Sequence, residues 1–194
     1  MGTGLAGGWN RSAGFDDSTW NSGATGIGYD TGGGLNAWIN TNCRTALQNV
    51  NTSLLFRRTF PLPDPTAYVS YKLRIKYEDG FVAWLNGIEI ARANFNGTPA
   101  YNSASTAALE ETIVNSWTEF TIPSTALLAG NNVLAIQGLN SSLGSSDFLL
   151  LPEILGASDL SSGGEVYFNP PTPNAINGNG SAGPVVFDAT PVDP

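Results

Sequence analysis

Histidine is absent from this 194-residue chain, and cysteine occurs once, at Cys43. Without an imidazole, neither a Ser-His-Asp triad nor a Cys-His pair can be assembled. The same shortage rules out a Cys₄ or Cys₂His₂ zinc site, and a lone thiol permits no internal disulfide. Cys43 is expected to serve as a small buried hydrophobe. Charge is scarce as well. Asp, Glu, Lys and Arg together make up 12% of the residues, about half the usual share. Only 8 residues are basic against 16 acidic, for a net charge of −8, and Arg57–Arg58 is the single adjacent basic pair. Nucleic acid, which demands a basic footprint, is not an expected partner, and an anionic membrane surface is disfavoured for the same reason. A strongly anionic glycan would find few cations to hold it. No apolar run approaches the ~20 residues of a membrane span, so membrane insertion is not expected.

What remains is rich in small and turn-forming residues, with 23 glycines and 12 prolines, yet 41% of the chain is apolar. That composition suits strands and loops rather than disorder. The length suits one domain with a tail, large enough to bury roughly 70% of its unfolded surface. Met1–Gly4 lacks the basic and apolar stretches of a signal peptide, so any export signal is expected upstream. The low cysteine count fits a bacterial exported protein, located outside the cell or on its surface.

Along the chain, residues 1–36 are glycine-rich with Trp9, Phe15, Trp20 and Tyr29 interspersed, which suggests short strands and turns. Residues 37–50 are spaced loosely for a short helix. SLLFRRTFPLP, from residue 53, predicts a strand stopped by Pro61 and Pro63. YVSYKLRIKY (68–77) alternates, with Val69, Tyr71, Leu73, Ile75 and Tyr77 on one face and Ser70, Lys72, Arg74 and Lys76 on the other, as in a half-buried antiparallel strand. Glu78-Asp79-Gly80 reads as a tight reversal. Asn86-Gly87, a favoured type I′ dipeptide, predicts a hairpin within 81–95. Further strands are expected at 117–123, 133–140 and 148–157, with Gly130 serving the turn into the second of them. Strand, turn, strand without a long helix argues for a sandwich. Residues 159–194 are rich in Gly, Pro, Asn and Ser and read as a linker or draped tail, leaving 1–158 as the folded unit.

Seven motifs fall in order: FDDSTW (15–20), GIGYD (26–30), FRRTF (56–60), YEDGFVAWLNGIEIARANF (77–95), YNSAS (101–105), LLAGNNVLAIQGLN (127–140) and SSDFLL (145–150). Over 15–157 the chain resembles a β-sandwich module of large secreted planctomycete and verrucomicrobial proteins, found beside lamin-tail, spore-coat-CotH-like and chitobiase-like segments. More distantly it resembles the galactose-binding-like jelly roll at the front of many glycoside hydrolases. GEVYFNPPTPNAIN (164–177) is similar to the joint that leads to the next module in such proteins. The resemblance implies an all-β, antiparallel jelly-roll sandwich with neighbouring modules of the same chain as its partners, and the chain is expected to be monomeric. It does not imply a ligand, since one fold hosts many functions.

Candidate sites follow from residue type and position. If Phe81, Ala83 and Leu85 face the core, Val82 and Trp84 face outward. Trp84 is then either a platform for a sugar ring or a side chain covered by a draped loop. Trp38 could stand at a loop tip in the 31–50 excursion. Trp9 is expected to be partly exposed and Trp117 to lie in the core. Tyr101 and Asn102 match the family pattern, and Tyr101-Asn102-Ser103 is expected to pin the loop after strand 88–95. Arg92 and Glu89, three apart on a strand, should point to opposite faces, which leaves Arg92 either to clamp a loop carboxylate such as Asp147 or to meet sugar hydroxyls. Trp20 reads as a core residue whose loop is fixed by Asp16 and Asp17 capping backbone N–H groups. The sharper alternative makes Asp16 or Asp17, with Asp30, Asp79 and Asp147, ligands of a structural calcium, which takes about six to eight oxygens. Glu110 and Glu111 are expected in a solvated loop rather than a catalytic pair. Together these readings favour a non-catalytic module that docks polysaccharide through aromatics and polar loop residues, with a spacer that has no glycan ligand as the alternative.

Overall fold

The computed structural model describes residues 7–11, 13–109 and 114–157, together with the backbone of Val185–Phe187. Ten strands form two facing sheets. They are β1 (Ile27–Asp30), β2 (Thr41–Asn42), β3 (Ser53–Leu62), β4 (Ser70–Glu78), β5 (Gly80–Leu85), β6 (Ile88–Ala93), β7 (Thr118–Ile122), β8 (Gly130–Leu139), β9 (Asp147–Ala157) and β10 (Val185–Phe187). Sheet A runs β2-β1-β9-β4-β7, with β10 also on β9, and sheet B runs β3-β8-β5-β6. Every pairing is antiparallel except β1 with β2. The chain passes between sheets at β2–β3, β3–β4, β4–β5, β6–β7, β7–β8 and β8–β9, as expected of a jelly-roll sandwich. The 37–50 stretch supplies a 3₁₀ turn at Asn36–Trp38 and one α-helical turn, α1 (Arg44–Leu47).

The strand periodicity explains the core. Tyr71, Leu73 and Ile75 of β4, Phe81, Ala83 and Leu85 of β5, and Leu134 and Ile136 of β8 all bury between the sheets. Val69 departs from the expected face: it precedes β4 and is 67% exposed. Pro61 does not stop β3, which continues to Leu62. β3 is an edge strand, where a missing N–H breaks no second ladder. The expected reversal at Glu78-Asp79-Gly80 is instead a corner, because β4 lies in sheet A and β5 in sheet B. The hairpin at 86–87 forms as expected, with φ of 53° at Asn86 and 84° at Gly87. Gly130 likewise adopts a φ of 92°. The tail expected at 159–194 and the Glu110-Glu111 loop lie outside the described residues, apart from the β10 backbone, which pairs with Ile154–Gly156 of β9.

Candidate functional site

A strap of residues 7–11 and 13–20 lies across the outer face of sheet B. Trp9, 2% exposed, meets Trp84 edge-on with ring centroids 5.5 Å apart, and Trp20 lies 6.3 Å from Trp9. Arg57, on the outward side of β3, ties the strap down. Its Nη1 pairs with Asp17, its Nε donates to the Trp9 carbonyl at 3.0 Å, and its guanidinium stands 5.4 Å from the Phe15 ring centre. The Trp20 N–H donates to the Asp17 carbonyl at 2.9 Å. Trp20 is thus held partly buried at the margin of the strap.

Beside Trp20 a cleft opens along the side of the sandwich, where the edge of sheet B meets the edge of sheet A. Its smaller lobe, about 220 Å³, lies against Asp17 and Leu55–Arg58. Its larger lobe, about 550 Å³, reaches Thr41, Asn42, Cys43 and Thr45. Trp20–Gly23, Ile27 and Leu55 line both. Gly23, which lines both lobes, packs closely on Thr41: a Cβ there would lie 2.3 Å from the Thr41 Oγ1. Thr41 holds the wall by donating its hydroxyl to the Ala24 carbonyl at 2.8 Å, and the Asn42 carboxamide accepts the Arg44 N–H at 2.9 Å. Cys43 is buried, as expected, and burial pushes its thiol up to about 12, so it stays protonated and inert at neutral pH.

The structure does not bring the sequence-predicted ligand residues together. Trp84 is 8% exposed beneath Trp9 and Phe95, so the strap, rather than a ligand, covers its ring. Trp38 is not at a loop tip: it packs on the outer face of sheet A, where the buried Lys76 ammonium lies 4.2 Å from its ring centre. Trp9 is buried rather than partly exposed, and Trp117 lies outside the core, stacked 4.4 Å from the Arg74 guanidinium. Arg92 pairs with Glu89 through two bonds of 2.5 and 2.7 Å. They share a face because β6 is bulged: Ala83 opposes Ala91 while Trp84 opposes Glu89, so Ile90 is the extra residue. Arg92 therefore clamps neither Asp147 nor another loop acid, and its Nη1 donates to the Gly97 carbonyl at 2.9 Å. Tyr101 and Asn102 pin their loop through the backbone, their carbonyls accepting from Asn51, Ser53 and Thr52 at 2.8–2.9 Å.

The five aspartates do not form one coordination sphere. Asp16 is held below the usual carboxylate range first by the Ser18 side chain and then by the Ser18 N–H, which it caps at 3.1 Å, while Asp17 pairs with Arg57. Asp30, Asp79 and Asp147 lie nearer one another, but each has its own partners. Asp79 is 1% exposed and accepts the Leu109 and Ser141 N–H groups, both at 2.7 Å. Asp30 caps the Gly32 and Leu35 N–H groups at 2.6 and 2.7 Å. Asp147 accepts from the Ser145 and Ser146 hydroxyls at 3.2 and 3.3 Å. Among the described residues no three Asp, Glu or Cys side chains group as a cation would require.

Trp20, expected in the core, is instead partly exposed in the cleft, and the lining residues that the sequence left unmarked are Asn21, Ser22, Thr41, Asn42 and Thr45. The one available signal was the polar Asn-Ser pair directly after a tryptophan.

The molecule is therefore a two-sheet antiparallel β-sandwich with a lateral cleft of mixed polar and apolar lining beside Trp20. No protein-family model and no curated protein matches the sequence. Its structural neighbours are glycoside hydrolases. An α-L-rhamnosidase of Streptomyces avermitilis, complexed with L-rhamnose, is 19% identical at a TM-score of 0.41, over 72% of this chain and 13% of that one. A calcium-binding mutant of Bacteroides uniformis β-glucuronidase 2 is 15% identical at 0.40, over 86% and 17%. A β-D-mannosidase of Dictyoglomus thermophilum is 19% identical at 0.32, over 46% and 9%. The chain spans under a fifth of the length of each.

Proposed function

We propose that this chain is a non-catalytic, carbohydrate-binding-like module of a secreted multidomain protein, and that it holds polysaccharide in the Trp20 cleft. The observation that carries the reading is the composition of the cleft: a partly exposed indole beside Asn21, Ser22, Thr41, Asn42 and Thr45. The C–H face of a sugar ring suits an aromatic wall, and its hydroxyls suit carboxamides and hydroxyls. Binding without hydrolysis is supported by the acids. Asp17 is the single carboxylate among the lining residues, and it is engaged by Arg57. Glycoside hydrolysis generally employs two carboxyl groups flanking the bond, about 5 to 9.5 Å apart. Structural calcium has no part in this reading; the separate partners of the five aspartates support leaving it out. EDTA is then expected to leave the melting midpoint unchanged, and a drop would bring a cation back.

Affinity electrophoresis in gels containing single polysaccharides tests the proposal. Wild type should be retarded by at least one, and Trp20→Ala should migrate freely while keeping a wild-type far-UV spectrum. Retardation of both alike, or of neither in any gel, would leave a spacer without a glycan ligand as the better description.

A further inference from the structure

Resting on that reading, we infer that the larger lobe selects an uncharged sugar, a plain hexose or pentose unit, over one that bears a carboxylate or sulfate. The lobe holds about 550 Å³, within the ~300–1,000 Å³ typical of small-molecule clefts. Among the described residues that line it there is no Asp, Glu, Lys or Arg. Its one titratable wall group is the Cys43 thiol, which burial keeps protonated. Arg44 follows Cys43 in the chain but does not line the lobe, and its Nε donates to Gln48 Oε1 at 2.6 Å. Asp17, Arg57 and Arg58 line the smaller lobe instead.

The polar groups of the larger lobe are neutral, and they both donate and accept. Asn21, Ser22 and Thr45 are exposed on its walls. Asn42 accepts the Arg44 N–H through Oδ1 at 2.9 Å, which leaves its Nδ2 as a donor. Thr41 donates its hydroxyl to the Ala24 carbonyl at 2.8 Å, so it offers a ligand lone pairs only. A sugar hydroxyl donates and accepts, and it can satisfy both kinds of group. A carboxylate or sulfate only accepts. It would leave Thr41 Oγ1 unmet and bring a charge, partly stripped of water, against walls that hold no cation.

The net charge of −8 also repels anions, but over a longer range. Salt separates the two effects. Repulsion between exposed charges is screened over about 8 Å at physiological ionic strength, whereas loss of hydration inside the lobe is screened much less.

Calorimetric titration at low and at high salt tests the inference, with gluco-, manno- and galacto-oligosaccharide series and the uronic acid counterpart of each. For the backbone that binds, the neutral series should bind on the order of tenfold more tightly than its counterpart at both salt concentrations. Thr45→Lys, at an exposed position on α1, and Asn21→Lys each place a cation on the wall and should shrink that ratio. Equal affinity for the two counterparts, still lost in Trp20→Ala, would overturn selection by the lobe and leave sugar binding standing. So would a ratio that vanishes at high salt, or one that neither lysine variant moves. Absence of binding by every series would overturn both the selection and the reading beneath it.

Discussion

Asp30 and Asp147 stand directly opposite each other on β1 and β9. Their acidities diverge. Burial opposes ionisation of Asp30, but N–H donors from Leu35, Gly33, Gly32 and Gly34 outweigh it and hold the carboxyl below its usual range. Burial pushes Asp147 up, and the charges of Asp79 and Asp30 add to the rise, against bonds from the Ser145 and Ser146 hydroxyls. The lowered group stabilises the fold above its unfolded pKa and loses that contribution as pH falls through its folded value. The raised group does the reverse: ionised Asp147 costs stability once pH has risen through its folded value. Asp147→Asn is therefore expected to raise the melting midpoint at pH 7, with the gain vanishing below about pH 4. Asp30→Asn should lower it at pH 7. Thermal melts of the two variants between pH 3 and 7 check this, and shifts of the same sign at neutral pH would refute it.

Arg57 is the fastening of the strap. Its side chain is 3% exposed while that of Asp17 is 43% exposed, so the buried guanidinium has most to lose. Arg57→Ala should cost about 2–3 kcal/mol, the scale of charge-assisted hydrogen bonds, and should loosen Trp20 enough to weaken sugar retention. Arg57→Lys should recover only part, because one ammonium cannot serve both Asp17 and the Trp9 carbonyl as a planar fork does. Urea midpoints and near-UV spectra provide the check; wild-type stability in Arg57→Ala would show that the strap is held elsewhere.

Trp84 and Trp20 should separate cleanly on mutation. Trp84 is covered on the outer face of sheet B, and Trp84→Ala is expected to destabilise by about 3–5 kcal/mol. Trp20→Ala should cost much less and act on binding. Equal losses of stability in the two would contradict their assignment to different roles.

Asn86 does more than turn the β5–β6 hairpin. Its Nδ2 donates to the Ala126 carbonyl and to Asn132 Oδ1 at 2.8 and 2.7 Å, and its Oδ1 accepts the Val133 N–H at 2.9 Å. Asn86→Ala should cost about 2–3 kcal/mol through buried groups left unpaired and through its positive φ. Asn86→Gly relieves only the φ, so denaturant midpoints should order wild type, then Gly, then Ala. A Gly variant as stable as wild type would reduce Asn86 to a turn residue.

Much of the fold was legible because it is written in local patterns: the alternation of 71–77, the Asn-Gly turn, and the split of Phe81, Ala83 and Leu85 from Val82 and Trp84. What escaped depended on partners distant in the chain. The tolerance of Pro61 rests on β3 being an edge, the pairing of Glu89 with Arg92 on a bulge, and the burial of Trp9 on a strap folding back. The cleft escaped for the same reason. Its walls come from 17–23, 41–46 and 54–58, and Trp20 looks in sequence like any core tryptophan.

The most direct measurement is a ¹⁵N spectrum of the indole N–H groups during titration with the oligosaccharide series. Five tryptophans give five signals. The signal of Trp20 should move most and saturate, with those of Trp38 and Trp117 on the opposite sheet unmoved. A still Trp20 signal at saturating sugar, or the largest change at Trp38 or Trp117, would contradict recognition at the β3 cleft.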